Sequence, residues 1–469
     1  MVSESGAHIL VFPYPAQGHM IPLLNFTHHL ATRGLTITIL VTPKNLPYLT
    51  PLLSTHPTIT PLVLPFPAHP SIPSGVENTV ELPAGGFRAM MHALRDLHYP
   101  VLQWFRNHPL PPVAMISDMF LGWTHHLACQ LSIRRYVFFP SGAFAISFVH
   151  CLWRDMPQRQ NATDGNETMA FPEIPNSPVY PWWQLSPLYR SYVKGDPDSE
   201  FMRDSQQCNL ASYGAVFNTF SGLEQVYLAY LMKELGHDRV WSAGPLLPPD
   251  YIESDSVMAT EINSWLDTCP DHTVVYVCFG SQAVLTNKQM EELALGLEKS
   301  GAKFILSVKG ATKGHVEVEG DNYGAIPSGF EDRVAGRGLV IKGWAPQVQI
   351  LNHRAVCAFL THCGWNSTLE SIMAGIPMLA WPMSADQFLN ATLLVDQLDM
   401  AIRVCEGAES VLDSDDLAWF LEETRGEKWR GRKGRAMALR KAALDAICEG
   451  GSSFKDLDGF VKHLSENNF

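Results

Sequence analysis

The chain has 469 residues, which is too long for one hydrophobic core, so we expect two large domains. Hydrophobic residues make up 46% of it and charged residues only 17%, which excludes a disordered chain and favours broad buried sheets. The formal net charge of −13 repels phosphate backbones and anionic membranes, so no nucleic-acid partner is expected.

The spacing of the cysteines and the length of the apolar runs indicate in which cellular compartment the protein resides. The nine cysteines include no Cys-x-x-Cys pair, which is typical of reduced thiols in a cytoplasmic enzyme. No basic segment precedes the first apolar run, and no run reaches the roughly 18 residues that a membrane span needs. We therefore predict a cytoplasmic protein with neither a signal peptide nor a membrane span.

Short apolar strands alternate with helix-length segments through the first half of the chain. A first strand (8–14) and a turn precede a helix from about residue 21 to 32. The further strands are predicted at 35–42, 62–65, 113–118, 135–139 and 215–218. This alternation predicts a parallel, doubly wound α/β sheet. The polar, proline-rich stretch 156–181 is predicted to be a surface loop.

The pattern stops between residues 244 and 257, where three prolines and several acidic residues indicate an interdomain linker. A second series of strands follows at 274–279, 304–308, 339–341, 356–360 and 378–381. The predicted organisation is an N-terminal domain (1–243), a linker (244–257), a C-terminal domain (258–452) and a last helix (453–469). From residue 413 onward the chain is predicted to be helical, with a break at 449–452.

Two side chains in the first half are candidates for proton chemistry. His19 follows the first strand, and Asp118 ends a later one, so both are expected at the carboxyl edge of one sheet. An imidazole with a pKa near ~6.5 suits a general base, and a carboxylate on its far nitrogen would orient it. The alternatives are a histidine that satisfies a helix start and an aspartate that caps the following helix.

In the second half, residues 360–370 lead from a strand through a glycine turn into a helix, whose NH groups and dipole make an anion site. A pyrophosphate could bind there without a metal. Ser281 offers another hydrogen-bond donor from the same edge, and the alternative is that it only caps the next helix. Trp344 offers a flat indole on which a nucleobase could stack, and the alternative is that it lies in the core. Metal-binding and dinucleotide motifs are absent, and Asp196, Asp198, Asp413 and Asp415 are interpreted as loop or helix-start acids, so we predict no metal ligands.

The 44 residues from Trp344 to Gln387 closely resemble the signature box of plant UDP-sugar-dependent glycosyltransferases. The likeness extends to residues 15–19, 117–120, 280–281 and 450–453, and so covers almost the whole chain. It implies a GT-B fold, in which two Rossmann-like domains face each other across a cleft. The first domain would bind the acceptor, the second would bind the UDP-sugar, and the last helix would return to the first domain.

The resemblance also implies a role for each matching residue. His19 would be the general base and Asp118 its partner. Trp344 would stack on uracil, Ala345 would bind its edge, and Gln347 and Glu370 would serve the ribose. The diphosphate would be held by Ser281, His362, Asn366 and Ser367, and Gly364 would leave room for the backbone to approach the phosphates. Gly18 is a further donor-binding candidate. The sugar hydroxyls would contact Trp365, Asp386 and Gln387. Phe120, Ser141, Trp182 and Trp183 are weaker candidates for the acceptor pocket.

The implied reaction is inverting transfer of a sugar from UDP to a hydroxyl of a small, lipophilic phenol by a monomer that needs no cofactor. Asp386 and Gln387 favour glucose, but the chain also resembles a flavonoid and hydroxybenzoate branch that includes users of UDP-rhamnose and UDP-xylose. Two other classes stay open: an epimerase or hydrolase of nucleotide sugars with this fold, and a catalytically idle binding protein.

Overall fold

The computed structural model describes residues 6–82, 86–161, 163–247, 257–308 and 324–466 of the chain. Two compact units are formed, one by Met1–Pro249 with Asp445–Phe469 and the other by Asp250–Leu444. Most of the predicted linker, residues 248–256, lies outside the described residues, so the linker and the domain limits stay predictions.

A parallel sheet of seven strands forms the centre of the first unit, in the order β3-β2-β1-β4-β5-β8-β9. Two further strands, β6 and β7, pair antiparallel to each other. The strands are β1 (His8–Phe12), β2 (Thr36–Val41), β3 (Thr60–Val63), β4 (Ala114–Asp118), β5 (Arg134–Phe139), β6 (Thr168–Ala170), β7 (Val179–Pro181), β8 (Gly214–Phe217) and β9 (Val240–Ser242).

The helices of the first unit connect these strands. They are α1 (Gln17–Ala31), α2 (Thr50–Thr55), α3 (Phe87–Arg95), α4 (His98–Asn107), α5 (Thr124–Leu131), α6 (Ala143–Asp155), α7 (Pro187–Arg190), α8 (Pro197–Leu210) and α9 (Ser221–Leu235). Short 3-10 helices cover Pro43–Leu49, Thr79–Glu81, Met119–Leu121 and Trp182–Gln184. The first helix starts four residues earlier than predicted, at Gln17, and continues through Pro22.

The second unit is built on a parallel sheet of six strands, in the order β12-β11-β10-β13-β14-β15. The strands are β10 (Val274–Cys278), β11 (Lys303–Val308), β12 (Gly338–Lys342), β13 (Val356–Thr361), β14 (Met378–Ala380) and β15 (Ala401–Arg403). The helices are α10 (Val257–Asp267), α11 (Asn287–Lys299), α12 (Phe330–Arg333), α13 (Gln347–Asn352), α14 (Trp365–Ala374), α15 (Gln387–Thr392), α16 (Ser414–Glu423) and α17 (Glu427–Ile447), with a π-helix at Leu393–Gln397.

The last helix, α18 (Ser452–Glu466), packs on the first unit. Leu457, Phe460 and Leu464 are buried in the same core cluster as Phe26 and the strands of the sheet. Asp456 anchors the helix, because its Oδ2 accepts the backbone NH of Ser242 at 2.8 Å and the hydroxyl of that serine at 2.7 Å. None of the described helices is both long and apolar enough to cross a membrane.

Both parallel sheets reverse their strand order once. The reversal lies between β1 and β4 in the first sheet and between β10 and β13 in the second. In open α/β sheets, ligands bind beyond the carboxyl ends of the strands at such a reversal. The loops after β1 and β4, and those after β10 and β13, are therefore where each unit is expected to bind its ligand.

The loop prediction for residues 156–181 was wrong in part, because this stretch contains the short strands of the β6–β7 hairpin. Its connection turns at Asn176 and Ser177, which both have positive φ angles (68° and 44°). The ring of Phe171, just after β6, lies 4.2 Å from that of Phe148 on α6, and the ring of Tyr180 in β7 lies 5.1 Å from it. Burial of these two aromatic side chains orders a segment whose composition resembles that of a loop.

Candidate active site

A histidine and an aspartate meet at the carboxyl edge of the first sheet. His19 lies in the first turn of α1, and its Nδ1 is 2.9 Å from Oδ2 of Asp118, the last residue of β4. The aspartate is fully buried, whereas the imidazole keeps 20% of its side chain exposed. A neutral imidazole that donates from Nδ1 to the carboxylate carries its lone pair on Nε2. The pair is therefore arranged for Nε2 to accept a proton.

Asp118 also caps the next turn, since its Oδ1 accepts the backbone NH of Phe120 at 2.8 Å. The capping alternative and the catalytic hypothesis are thus compatible: one carboxylate oxygen serves the 3-10 turn and the other serves His19. This double use holds the carboxylate in one orientation and, through it, the imidazole.

Two aromatic rings contact the imidazole, and a third ring packs against both of them. Phe120 lies 4.6 Å from the His19 ring, between centroids, and Tyr14 lies 5.7 Å from it. Phe87 contacts both of these rings, at 4.9 Å from Phe120 and 5.2 Å from Tyr14. Burial raises the pKa of the Tyr14 hydroxyl well above its usual value, with a smaller contribution from the Asp118 charge. The hydroxyl therefore stays protonated, and Tyr14 forms an uncharged wall beside His19. The sequence analysis missed Tyr14 and Phe87, because only the folded chain packs these two rings against each other and against Phe120.

A buried arginine supports the loop that carries Asp118. The Arg135 guanidinium donates to the hydroxyls of Ser117 (2.8 Å) and Ser212 (2.6 Å) and to the amide oxygen of Asn209 (3.0 Å). It also reaches the backbone carbonyl of Asp118 at 3.4 Å. Burial lowers the pKa of Arg135 to about 9, although the nearby Cys208 and Asp118 oppose the shift. Arg135 was not identified from the sequence, where it is one of two adjacent arginines at the start of a strand.

In the second unit, His362 follows β13 and is held between two glycines. A Cβ atom on Gly280 would lie 2.6 Å from Cε1 and Nε2 of the imidazole, and one on Gly364 would lie 2.5 Å from Nε2. Cys363, between the histidine and Gly364, has a positive φ of 62°. Burial lowers the pKa of His362 to about 4, so this imidazole is neutral at pH 7. It can therefore donate one hydrogen bond to an anion without adding a charge.

Gly364 is the N-cap of α14, and the predicted diphosphate ligands Asn366 and Ser367 lie in the first turn of this helix. The start of a helix attracts anions through its backbone NH groups and its dipole. Asn390 on α15 donates to the carbonyl of Cys363 at 3.0 Å and so stabilises the turn that leads into α14. Asn390 was not a candidate in the sequence analysis, because nothing in its own segment indicates this contact.

The predicted ribose ligands contact each other through one amide. Gln347 donates from Nε2 to Oε2 of Glu370 at 2.7 Å and to the hydroxyl of Ser367 at 2.8 Å. Its Oε1 accepts from the hydroxyl of the buried Tyr276 at 3.3 Å. Burial raises the pKa of Glu370 to about 7, and the bond from Gln347 partly offsets this shift. The carboxyl group is thus close to its titration midpoint at neutral pH.

Trp344 is not a core residue, because 67% of it is exposed. A large exposed indole beside the polar cluster of Gln347 and Glu370 is a suitable surface for a planar base. Ala345 is buried. Trp365 is only 4% exposed, so its side chain mainly packs at the start of α14.

Asp386 is the N-cap of α15, and Gln387 is the first residue of this helix. The amide oxygen of Gln387 accepts the backbone NH groups of Met383 (2.9 Å) and Ser384 (3.0 Å). Its NH₂ group therefore faces away from that turn and has two NH groups that could donate to a ligand. The roles of Trp365, Asp386 and Gln387 toward a sugar stay predictions.

The remaining candidates are less closely tied to the histidine. Gly18 lies beside His19 in the first turn of α1, and Ser141 follows β5 at the same edge of the sheet. Trp182 is buried, with the Arg159 guanidinium 4.6 Å from its ring centroid. Ser281 follows β10, and the alternative that it caps the next helix is wrong, because Thr286 caps α11. Asp196 and Asp413 are N-caps of α8 and α16, as predicted.

The chain is similar over its length to known proteins of one family. A family model described as UDP-glucoronosyl and UDP-glucosyl transferase matches residues 252–427. The chain is 58% identical to UDP-glycosyltransferase 89B2 of Stevia rebaudiana, over 98% of each chain. It is 55% identical to the flavonol 3-O-glucosyltransferase UGT89B1 of Arabidopsis thaliana, over 97% of this chain and 96% of the relative.

Among solved structures, the chain resembles that of Arabidopsis thaliana UGT89C1 complexed with UDP-L-rhamnose. The TM-score is 0.81 at 39% sequence identity, over 98% of this chain and 99% of the other. The match over the full length, together with the two parallel sheets, confirms the predicted α/β fold of GT-B type.

Proposed function

The chain belongs to the family of plant UDP-glycosyltransferases, and on this premise we propose that it is an inverting O-glucosyltransferase of small phenols. In this proposal, glucose moves from UDP-glucose to a hydroxyl of a flavonol or hydroxybenzoate. The hydrogen bond between His19 and Asp118, at the reversal of the first sheet, is the observation that carries it.

The first part of the reaction is removal of the acceptor proton. Nε2 of His19 takes the proton as the acceptor oxygen forms a bond to the anomeric carbon, and the Asp118 carboxylate stabilises the resulting imidazolium. A general base of this kind contributes a factor of ~10² to 10⁴ to the rate. Phenols suit the step, because their pKa near ~10 makes them stronger acids than aliphatic alcohols.

The second part is departure of UDP, as the bond between the anomeric carbon and the β-phosphate oxygen breaks. We assign the diphosphate to Ser281, His362, Asn366, Ser367 and the start of α14. Hydrogen bonds to a charged group contribute about 1.5 to 3 kcal/mol each, so a few donors can replace a metal ion. The nucleoside is assigned to Trp344, Ala345, Gln347 and Glu370.

Glucose is the preferred donor in this proposal. It is supported by the Asp386 and Gln387 pair at the end of the signature box and by the 55% identity to a flavonol glucosyltransferase. The structural relative at 39% identity was solved with UDP-L-rhamnose, so rhamnose is the alternative that a test must include. Two observations support a flat phenolic acceptor. The same relative is named for its action on flavonols, and the rings of Tyr14, Phe87 and Phe120 form an aromatic wall.

A matrix of donors and acceptors tests the proposal. The purified chain is incubated with UDP-glucose, UDP-rhamnose or UDP-xylose and with flavonols, hydroxybenzoates or no acceptor, and the products are read by mass spectrometry. We expect a glucoside of a flavonol or hydroxybenzoate as the main product. Rhamnoside formation would overturn the donor assignment, and rapid loss of UDP-glucose without acceptor would favour a hydrolase or epimerase.

We also propose that the protein acts as a monomer with no resident cofactor and no metal ion at the reacting atoms. The residues assigned to the diphosphate are neutral side chains and a helix start rather than a cluster of carboxylates, which fits direct binding of the diphosphate. Excess EDTA is expected to leave the rate of transfer unchanged. A chelator-dependent loss that Mg²⁺ restores would contradict this proposal.

A further inference from the structure

A cluster of histidine, aspartate and cysteine lies between two helices of the first unit, apart from the residues assigned to the reaction. His126 is on α5, whereas Asp204 and Cys208 are on α8 and lie on one face of it because they are four residues apart. Their ligand atoms all lie within 4.8 Å of one another. Among the described residues, no other group of three or more such side chains meets this condition.

The contacts in this cluster converge on one nitrogen. Nε2 of His126 is 2.8 Å from Oδ2 of Asp204 and 3.2 Å from Sγ of Cys208, and Sγ lies 3.9 Å from the same carboxylate oxygen. In a catalytic relay, the thiol and the carboxylate would contact opposite ring nitrogens. Here they share one nitrogen, so the three ligand atoms lie close enough together to contact a single ion.

We propose that His126, Asp204 and Cys208 form a binding site for a divalent transition ion, with Zn²⁺ as the best match. Zn²⁺ binds nitrogen and oxygen at about 2.0 to 2.2 Å and sulfur at about 2.3 Å, so a tetrahedral site has ligand separations of roughly 3.3 to 3.6 Å. The three observed separations differ from these by about half an ångström, a small change for the half-exposed side chains of His126 and Asp204. One thiolate and one carboxylate would neutralise the ion.

The access to the site fits an exchangeable ion. Cys208 is buried, while the side chains of His126 and Asp204 are 55% and 50% exposed, so an ion can enter from solvent and keep a water as its fourth ligand. Sulfur, imidazole and carboxylate together favour Zn²⁺ over Mg²⁺ or Ca²⁺, which prefer oxygen ligands.

Metal binding there would tie α5 to α8. The residue after Cys208, Asn209, donates to the carbonyl of Met119 at 2.7 Å, in the turn that follows Asp118. Asn209 also accepts from Arg135 at 3.0 Å. A bound ion would thus stabilise the packing around this turn, and the ion would take no part in the reaction.

Calorimetric titration of ZnCl₂ into the EDTA-treated full-length chain tests the proposal. We expect one ion per chain, and an affinity at least about tenfold weaker, or 1.4 kcal/mol, in Asp204→Asn and in Cys208→Ser. Both changes nearly preserve the size of the side chain, so the variants are expected to fold. Co²⁺ added instead of Zn²⁺ should give a thiolate-to-metal absorption band that Cys208→Ser lacks.

Two matched variants serve as controls. Asp267→Asn removes a carboxylate that contacts the Nε2 of His353 at 3.2 Å, and Cys448→Ser removes an exposed thiol. Both should bind Zn²⁺ like the unmodified chain. Zn²⁺ should also raise the melting temperature of the unmodified chain and of the controls, but not that of Cys208→Ser. Equal Zn²⁺ affinity in the unmodified chain and in Cys208→Ser would overturn the proposal and indicate adventitious binding only.

Discussion

The two units use the same topology for different chemistry. In each, a parallel sheet reverses its strand order once, and polar residues follow the strands at that reversal. In the first unit these are His19 and Asp118, a titratable pair beside a wall of aromatic rings. In the second unit they are a neutral histidine between glycines and the start of α14.

This difference indicates a division of labour. The titratable pair suits transfer of a proton, whereas neutral donors and glycines suit an anion that must approach the backbone closely. The topology determines where a ligand can bind, and the residue types determine what happens to it. Changes in the first unit should therefore affect turnover, and changes in the second should affect binding of UDP.

Apart from removal of His19 itself, the largest effect is expected for Asp118→Asn. The asparagine can still cap the turn at Phe120, but its NH₂ group would face Nδ1 of His19 and place the ring proton on Nε2. Since Nε2 could then no longer act as a base, we expect kcat to fall by about 10² or more. Steady-state kinetics with a flavonol check this. The control is Asp413→Asn, which changes the N-cap of α16 and should leave kcat normal. A normal kcat in Asp118→Asn would mean that the pair of His19 and Asp118 has only a structural role.

Gly280→Ala and Gly364→Ala should weaken binding of UDP. Each new methyl group would contact the His362 ring at 2.6 Å or less, and at Gly280 the backbone also has an unfavourable φ of +76°. We expect the dissociation constant for UDP to rise by roughly tenfold or more, equal to about 1.4 kcal/mol, in a calorimetric titration. Gly434→Ala, where nothing lies within 4 Å of the new atom, is the control. Unchanged UDP affinity in both variants would mean that His362 does not contact the diphosphate.

Glu370→Gln should change how stability depends on pH. Burial raises the pKa of Glu370 from 4.5 to about 7, so between these values the folded chain holds a proton that the unfolded chain has lost. Its contribution to stability is therefore present below pH 4.5 and is lost as the pH rises through about 7. Relative to the unmodified chain, the variant should gain little at pH 5 and at most about 3 kcal/mol at pH 8. Urea unfolding at both pH values measures this, with the exposed Glu422→Gln as the control, and a gain equal at both pH values would contradict it.

Phe120→Leu should have the smallest effect. The leucine keeps an apolar contact with His19 but removes a flat surface for an aromatic acceptor. We expect KM for a flavonol to rise by a few-fold, about 0.5 to 1.5 kcal/mol, with kcat reduced less. Trp419→Leu, at an exposed aromatic residue of the second unit, should leave both constants unchanged. A loss confined to kcat would place Phe120 outside the acceptor site.

The sequence predicted much of this arrangement, because strong local patterns carry it. Long apolar strands such as β10 and β13 are visible in the sequence, and the turn before α14 shows its glycine directly. The strands β9 and β15 were not predicted, because each has only three residues and, unlike the equally short β14, one of the three is polar. Burial against α6 likewise ordered the hairpin in the segment predicted to be a loop.

The contacts that support the site could not be predicted from the sequence, because they also depend on residues that only the fold brings together. Phe87, Arg135, Tyr276 and Asn390 each act on a residue far away in sequence, and none belongs to a local motif. The position of Trp344 was also undecided, since an indole in an apolar segment is as compatible with a core as with a surface. Its exposure depends on how the chain around it folds.

The most direct test of the central claim is His19→Ala, with kcat for a flavonol and the affinity for UDP measured on the same preparation. If His19 is the general base of the first unit, kcat should fall by a factor of at least about 10², while UDP, assigned to the second unit, binds as before. Turnover equal to that of the unmodified chain would contradict the account.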